Sequence, residues 1–217
     1  MINTFLFDLD GTLADTLDDI AEGINCMRAE LSLPPLTRID VLNAINNGAF
    51  ILVRRCLPEL APLDEEKNKE YLEIFQNYYS KCYNNSTYLY DGIAESVAYL
   101  KKNGKKLGVL SNKPHEFVVA IIEKLFPKDT FDAVIGQGQF PAKPDPSSAL
   151  HICALLETQP SDCALVGDSN IDMQTAQNAG LYPIGVSWGY RSAQVLSESG
   201  AKIIVNSPSD IKSLVEL

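Results

Sequence analysis

The sequence places a pair of aspartates directly after a short apolar run. The run TFLF is followed by Asp8, Leu9, Asp10, Gly11 and Thr12. Two carboxylates at positions i and i+2 after a strand can face the same side, and each then raises the pKa of the other unless a cation lies between them. A chain that leads a buried strand into such a pair is expected to use both carboxylates in chemistry.

Further polar side chains follow other short apolar runs in the second half of the chain. They are, in chain order, Ser111 and Asn112, then Lys143, then Asp168 and Asp172. If each run is a strand of one parallel sheet, the carboxyl ends of the strands meet along one edge, where ligands bind in such sheets. We therefore expect these side chains to converge with Asp8 and Asp10.

The residue types at this edge favour phosphoryl transfer. Asp168 adds a third carboxylate to the first pair. A hard cation with oxygen ligands relieves the repulsion, and Mg²⁺ is the natural one when a substrate phosphate completes its octahedron. Lys143 offers a positive charge that can hold a phosphoryl group, while the Ser111 hydroxyl and nearby main-chain N–H groups, that of Asn112 included, can bind phosphate oxygens. Phosphoryl transfer requires mainly such positioning and charge neutralisation.

Strand-like and helix-like patterns alternate through the second half of the chain. The apolar runs lie at 106–110, 131–135, 163–166, 182–186 and 202–205. The helical patterns between them lie at 93–102, 114–125, 146–157, 171–178 and 191–199. This alternation predicts βαβ units, and hence a Rossmann-like α/β fold with a parallel sheet and helices on both faces.

The segment 14–85 has a different pattern. An apolar stripe with helical spacing is formed by Leu17, Ile20, Ile24, Met27 and Leu31. Further helices are predicted at 38–46, 50–57 and 65–83, and no strand is evident. We therefore predict a helical module, 14–85, inserted into a core domain that consists of 1–13 and 86–217.

Composition limits the function. The 217 residues are 46% hydrophobic and 21% charged, with a formal net charge of −10. Nucleic acids and anionic membrane surfaces are bound mainly by clustered Lys and Arg, which the sequence lacks, so neither is an expected partner. No stretch of about 18 apolar residues occurs, and five cysteines without a CxxC pair are typical of reduced thiols. We expect a cytoplasmic protein.

Four short motifs in a fixed order resemble those of the haloacid dehalogenase superfamily of phosphatases. They are DLDGT at 8–12, SNK at 111–113, AKPDP at 142–146 and GDSNID at 167–172. The similarity spans nearly the whole chain. The helical insertion is similar to the small α-helical cap of that superfamily, and GVSWGYR at 185–191 resembles its phosphoglycolate phosphatase branch.

The resemblance implies a role for each aspartate. Asp8 matches the nucleophile that attacks phosphorus to give an aspartyl-phosphate. Asp10 matches the general acid that protonates the leaving oxygen and then the base that activates water. Asp168, with Asp8 and the backbone carbonyl of Asp10, matches the Mg²⁺ ligands. Asp172 is expected to reach a metal-bound water or Lys143.

The resemblance also implies the remaining site residues. Ser111 and Lys143 match the phosphate-binding pair, to which the main-chain N–H of Asn112 adds a donor. Gly11 and Thr12 are expected to support the loop that carries the two aspartates.

In the helical insertion, a substrate-facing loop is expected at 46–48, near Arg54 and Arg55. An arginine there could pair with a substrate carboxylate. Relatives more often carry a second glycine in this loop, whereas here Asn-Asn precedes a single glycine, which leaves the identity of the substrate open.

The site must exclude water during phosphoryl transfer and admit it afterwards, so we expect the cap to move about hinges near 14–16 and 84–89.

These features predict a Mg²⁺-dependent phosphatase that acts on a small phosphorylated metabolite, with phosphoglycolate a candidate, as a monomer or homodimer. Two alternatives stay open. A phosphomutase of the same fold, like β-phosphoglucomutase, uses the same pair of aspartates. A non-hydrolytic phospho-acceptor switch also groups acidic residues, a Ser or Thr and a Lys around an aspartyl-phosphate, but it needs neither a general acid nor a cap.

Overall fold

The computed structural model describes residues 1–217, which form two compact units. The core unit consists of Met1–Asp15 and Leu89–Leu217, and the helical unit consists of Thr16–Tyr88. The chain therefore enters the helical unit once and leaves it once, which is the connectivity of an insertion.

Eight strands occur along the chain. They are β1 Thr4–Phe7, β2 Ala14–Asp15, β3 Tyr88–Leu89, β4 Lys106–Pro114, β5 Ala133–Gln137, β6 Cys163–Gly167, β7 Tyr182–Val186 and β8 Ile203–Val205. Six of them form one sheet in the order β5-β4-β1-β6-β7-β8, and every neighbouring pair is parallel. The predicted α/β class with a parallel sheet is thereby confirmed.

Strand β1 occupies the centre of this sheet. Its residues and those of β6 are buried along their whole length, as expected for parallel strands that are covered on both faces. Phe5 pairs with Leu107 of β4 on one side and with Ala164 of β6 on the other. The chain goes outward from β1 to β4 and β5, then returns to build β6, β7 and β8 on the opposite side. This reversal makes the carboxyl ends of β1, β4 and β6 the switch point where ligands bind in such sheets.

Nine α-helices complete the two units. They are α1 Leu17–Glu30, α2 Arg38–Ala44, α3 Ala49–Arg55, α4 Glu65–Cys82, α5 Ile93–Lys102, α6 His115–Leu125, α7 Ser147–Leu155, α8 Asn170–Ala179 and α9 Ala193–Glu198, with short 3₁₀ helices at Pro58–Leu60, Pro160–Asp162 and Pro208–Glu216. Every predicted helix is present, with ends that differ by a few residues. None of the helices has the length and apolarity that crossing a membrane requires.

Four predicted strands differ from the structure in their bounds, β6 and β8 by a single residue and β4 and β5 by more. Strand β5 begins at Ala133 rather than at 131, because Asp132 belongs to the preceding turn, where its carboxylate accepts hydrogen bonds from the Leu107 N–H and the Lys101 ammonium. Strand β4 continues beyond its apolar run to Pro114. Its pairing with β5 is irregular between Leu110 and Pro114, where four residue steps on β4 span only two on β5.

Helices α1 and α4 pack together in the helical unit. The apolar stripe predicted for α1 is buried as far as Met27, and Gly23 lets α4 approach, since a Cβ at this position would lie 3.1 Å from the Phe75 ring. Arg28 is buried and donates to the carbonyls of Pro34 and Cys56 and to the carboxylate of Glu59. The expectation that the segment 14–85 contains no strand was wrong, because β2 lies at Ala14–Asp15. A strand of two residues is too short to give a periodic pattern.

Asp19 fixes the end of the helical unit to its beginning. This buried carboxylate on α1 accepts hydrogen bonds from the main-chain N–H groups of Ser86 and Thr87 and from the Thr87 hydroxyl, at 2.8, 2.9 and 2.6 Å. Ser86 and Thr87 fall within the hinge predicted at 84–89, yet they are tied to the same unit as α1.

Replacing Asp19 with Ala should destabilise the protein by about 2–4 kcal/mol, because buried donors lose their acceptor. The free energy of unfolding in urea, followed by circular dichroism, measures this change. Asp18→Ala is the matched control, since Asp18 is the preceding residue, is half exposed and pairs with Arg38 at the surface. Equal losses in the two variants would contradict the structural role of Asp19.

Candidate active site

The carboxyl ends of β1, β4 and β6 bring the predicted site residues together in the core unit. Asp8 follows β1, Ser111 lies on β4, Asp168 follows β6, and Lys143 comes from the loop between β5 and α7. Their side chains, and that of Asp172, are almost entirely buried. Charged groups that the chain withdraws from water in this way must compensate one another.

Lys143 is the cation at the centre of the site. Its Nζ lies 3.0 Å from Asp8 Oδ1 and 2.6 Å from Asp172 Oδ1, and it donates to the Leu110 carbonyl at 3.0 Å. Burial by itself lowers the pKa of an ammonium, but the charges of Asp172 and Asp8 outweigh burial and raise the pKa of Lys143 above its usual value. Lys143 is therefore a permanent positive charge beside Asp8.

Asp172 is held by the start of α8. The Ser169 side chain caps this helix and exchanges hydrogen bonds with Asp172, whose Oδ2 accepts from the Ser169 hydroxyl at 2.6 Å and from its N–H at 3.1 Å. Gly167 leaves the necessary space, because a Cβ there would lie 2.4 Å from the Asp172 Cβ. Of the two contacts expected for Asp172, the structure shows the one with Lys143.

Asp168 is oriented from two directions. Its Oδ1 accepts from the Thr12 hydroxyl at 3.0 Å, and its Oδ2 accepts from the Tyr190 N–H at 2.7 Å. Gly11 adopts a left-handed conformation, φ +82°, and a Cβ at Gly11 would lie 2.4 Å from Asp168 Oδ2. Gly11 and Thr12, which were expected to support the loop of the two aspartates, thus both contact Asp168. Sequence reasoning missed the hydrogen bond from the Tyr190 N–H to Asp168, because every residue except proline has a main-chain N–H and the residue type gives no indication of its partner.

The loop at 188–190 also contacts the loop that carries the aspartates. The Trp188 indole N–H donates to the Thr12 carbonyl at 3.1 Å. Gly189 packs so closely that a Cβ would lie 2.3 Å from the Asp168 Cβ and 2.3 Å from the Gly11 carbonyl oxygen. The two loops are therefore joined by a hydrogen bond and by close packing.

Three carboxylates, those of Asp8, Asp168 and Asp172, have oxygens within 4.8 Å of one another. Burial, more than charge repulsion, raises the pKa of Asp8 to about 7, and burial together with the charges of Asp172 and Asp8 raises the pKa of Asp168 to about 8. Lys143 balances only part of this negative charge. Clustered oxygen donors with an excess of negative charge are a fitting site for a hard divalent cation.

Asp10 lies beside this cluster and pairs with a lysine that sequence reasoning left without a role. Lys113 Nζ is 2.7 Å from Asp10 Oδ1, and the Lys113 side chain is only 4% exposed. The sequence marks the position of Lys113, as the last residue of the SNK motif after the apolar run at 106–110, but it gives no sign of the partner.

Asn112 uses its side chain to fix the loop that carries Lys143. Its Nδ2 donates to the Lys143 carbonyl at 3.0 Å, and its Oδ1 accepts from the Lys143 N–H at 2.7 Å. Ser111 Oγ accepts from the Lys113 N–H at 3.3 Å. The side chain of Asn112 thus bonds to Lys143. The predicted phosphate donor is a different group, the main-chain N–H of Asn112.

Arg54 and Arg55 have partners inside the helical unit. Arg54 lies 5.6 Å from the Phe50 ring centroid and donates to the Leu63 carbonyl. Arg55 donates to the Ala44 carbonyl and to Asn47 Oδ1, at 3.2 and 3.3 Å. Arg55 therefore stabilises the 46–48 loop through its hydrogen bond to Asn47.

Known proteins resemble the chain over nearly its whole length. The haloacid dehalogenase-like hydrolase family matches residues 5–186. A phosphoglycolate phosphatase of Psychrobacter arcticus is 34% identical over 195 residues, which are 87% of this chain and 85% of that protein. The crystal structure of a predicted phosphoglycolate phosphatase from Haemophilus somnus has a TM-score of 0.90 and 29% identity, covering 98% of this chain and 97% of that one.

A more distant structure shares the fold alone. The β-phosphoglucomutase of Clostridium difficile has a TM-score of 0.74 and 22% identity, covering 97% of this chain and 93% of that one.

The chain belongs to the haloacid dehalogenase-like hydrolase family, as its match over residues 5–186 shows. Within that family it is an enzyme of the phosphoric monoester hydrolase class. The resemblance seen in the four sequence motifs is thereby confirmed, and the residues that carry those motifs are the ones that the structure brings to the switch point.

Replacing Asn112 with Ala should lower kcat for 4-nitrophenyl phosphate by about 10–100-fold, because the loop that presents Lys143 loses two hydrogen bonds that orient it. Asn178→Ala is the matched control. Asn178 is an exposed asparagine that donates to the next residue of the same loop, at the Pro144 carbonyl, and its loss should leave kcat nearly unchanged. Similar rates for both variants would show that Asn112 does not orient Lys143.

Proposed function

We propose that the chain is a Mg²⁺-dependent phosphatase that hydrolyses a small phosphomonoester through an aspartyl-phosphate on Asp8. The observation that carries the proposal is the placement of the buried Asp8 carboxylate 3.0 Å from the Lys143 ammonium, in a cluster with Asp168 and Asp172. A carboxylate nucleophile needs a neighbouring cation to approach a phosphate dianion, and Lys143 supplies one.

In the first step, Asp8 attacks phosphorus. Its Oδ1 is bound by Lys143 and by the Leu9 N–H, at 3.0 and 2.8 Å, so Oδ2 is the oxygen that forms the new bond in our mechanism. The bond between phosphorus and the ester oxygen breaks, and Asp10 gives its proton to that oxygen as the alcohol leaves. Ser111 and the Asn112 N–H bind phosphate oxygens while Lys143 offsets their charge.

In the second step, water attacks the phosphorus of the aspartyl-phosphate. Asp10, now a carboxylate, takes a proton from that water, and the bond between phosphorus and the Asp8 oxygen breaks. Inorganic phosphate leaves, and Asp8 returns to its carboxylate form. The same side chain thus gives a proton in one step and recovers a proton in the next, so no other acid or base is required.

The proposed Mg²⁺ ligands are Asp8, Asp168 and the main-chain carbonyl of Asp10. When bound, the ion neutralises the carboxylates and polarises the phosphoryl group for attack. We assign Asp172 to a different task, because one of its oxygens already pairs with the Lys143 ammonium at 2.6 Å, whereas the donors to Asp168 are an uncharged hydroxyl and an uncharged main-chain N–H. Asp172 fixes Lys143, and Thr12 fixes Asp168.

We further propose that the helical unit, Thr16–Tyr88, acts as the cap, and that phosphoglycolate is the candidate substrate. The substrate proposal draws on the names of relatives such as the Psychrobacter arcticus enzyme, which is a phosphoglycolate phosphatase. Glycolate carries a carboxylate, so a recognising cation is expected near the leaving group.

The experiment that tests the proposal is phosphate release from a panel of small phosphomonoesters that includes phosphoglycolate and sugar phosphates, with Mg²⁺ and with EDTA. Release that requires Mg²⁺ supports the phosphatase. Turnover that occurs only with a sugar bisphosphate would instead support a mutase. A stable aspartyl-phosphate without turnover of any ester would support a phospho-acceptor switch.

Asp8→Asn should lower phosphate release by at least about 10³-fold, because the amide is not a nucleophile. The variant keeps the size of the side chain and should retain the wild-type circular dichroism spectrum and a cooperative thermal transition. If a folded variant keeps about a tenth of the wild-type rate, Asp8 does not attack phosphorus.

Asp168→Asn should abolish the increase in Tm that Mg²⁺ gives the wild type, because an ion that binds only the folded state stabilises the fold by mass action. In EDTA the variant should be at least as stable as the wild type, since one of three repelling carboxylates is gone. Differential scanning calorimetry measures both effects. Asp162→Asn, at a half-exposed position, is the control, and an unchanged Mg²⁺ effect in Asp168→Asn would rule out this ligand.

A further inference from the structure

Lys113 is a second buried cation of the site, and the mechanism above does not use it. The residue is 7% exposed, and its Nζ lies 2.7 Å from Asp10 Oδ1. The Asp10 side chain is 19% exposed. Burying an ammonium and a carboxylate together costs free energy that their attraction only partly recovers, and apolar residues in their place are often as stable. Fold stability alone therefore gives little reason for this pair.

The backbone around Lys113 is shaped to hold it. Lys113 lies in the irregular part of β4, where the pairing with β5 shifts between Leu110 and Pro114. Gly136 of β5 permits this path, because a Cβ there would lie 2.6 Å from the Lys113 carbonyl oxygen and 2.6 Å from the His115 Cα. The Gly136 N–H donates to His115 Nδ1 at 3.2 Å. Bulges of this kind redirect a side chain and are frequent next to active sites.

The contact with Lys113 bears on the orientation of Asp10. Lys113 donates to Oδ1, and this contact restricts rotation of the Asp10 carboxylate, which must present an oxygen to the leaving group and later to the water. The ammonium also lies beside the carboxylate that remains after Asp10 has given up its proton. A group that gives and then takes a proton must occupy one position in both steps, and a charge-assisted hydrogen bond fixes that position.

We propose that Lys113 is a positioning residue that acts through Asp10 and orients its carboxylate for proton exchange with the leaving oxygen and with water. The inference rests on the proposed function, in which Asp10 is the acid and base. It also distinguishes Lys113 from Lys143, which contacts Asp8 and not the residue that serves the leaving group.

Dependence on the leaving group tests this role. An alkyl phosphate needs a proton on its departing oxygen, whereas 4-nitrophenolate departs well without one. The ratio kcat/KM reports formation of the aspartyl-phosphate, which is the first irreversible step. Lys113→Met should lower kcat/KM for the best alkyl phosphate of the panel by about 10–100-fold, and should lower it for 4-nitrophenyl phosphate by only about 2–5-fold. Lys113→Arg, which keeps the charge, should recover part of the loss.

Lys105→Met is the matched control. Lys105 is also a buried lysine, next to the first residue of β4, and its Nζ donates to the Ile2 carbonyl. This variant reports the general effect of removing a buried ammonium and should show the same relative kcat/KM for both substrates. If Lys113→Met does not fold, Lys113→Gln, which keeps a hydrogen-bond donor without the charge, is compared in the same way.

A double-mutant cycle with Asp10→Asn tests whether Lys113 acts through Asp10. In the Asp10→Asn protein, Lys113→Met should cause less than about a 2-fold further loss, because coupled residues are not additive. A full loss in that background, or equal losses on the alkyl and aryl esters, would overturn the role of Lys113. A wild type that hydrolyses neither ester would overturn the proposed function itself, so the two failures are distinguishable.

Discussion

The ion pairs of Lys143 with Asp8 and Asp172 connect three distant parts of the chain. The end of β1 supplies Asp8, the loop after β5 supplies the lysine, and the first turn of α8 supplies Asp172, all almost fully buried. A buried ion that loses a partner costs several kcal/mol, so each of these segments is held in place by the other two. Asp8, the nucleophile that we propose, is thus positioned by contacts that the fold itself needs, and the geometry of the site follows from folding.

Around these ion pairs, glycines and hydrogen-bond donors pack closely against Asp168 and Asp172. Gly11, Gly167 and Gly189 each stand where a Cβ would come within 2.4 Å of an atom of Asp168 or Asp172. The hydroxyl of Thr12 and the N–H of Tyr190 occupy the oxygens of Asp168. Such close packing leaves the carboxylates little freedom, which is the condition for preorganised electrostatic catalysis.

Sequence reasoning predicted the parallel sheet and the residues at its edge, because strands buried on both faces read as apolar runs and polar residues such as Asp8 and Asp168 follow them directly. It could not predict the pairing of Lys113 with Asp10, which depends on a bulge that leaves no mark in the periodicity. Nor could it predict that Asp19 binds Ser86 and Thr87, because the partners are far apart in sequence. Contacts made through main-chain N–H groups carry no residue signature at all.

The helical unit is joined to the rest of the chain by only two junctions, after Asp15 and after Tyr88. A continuous gene segment therefore encodes the whole unit, while the groups assigned to phosphoryl transfer are encoded outside it. Recombination at these two points can replace one part and leave the other intact. With the helical unit as the cap that we propose, this architecture allows the choice of substrate to diverge among descendants that inherit one unaltered chemistry.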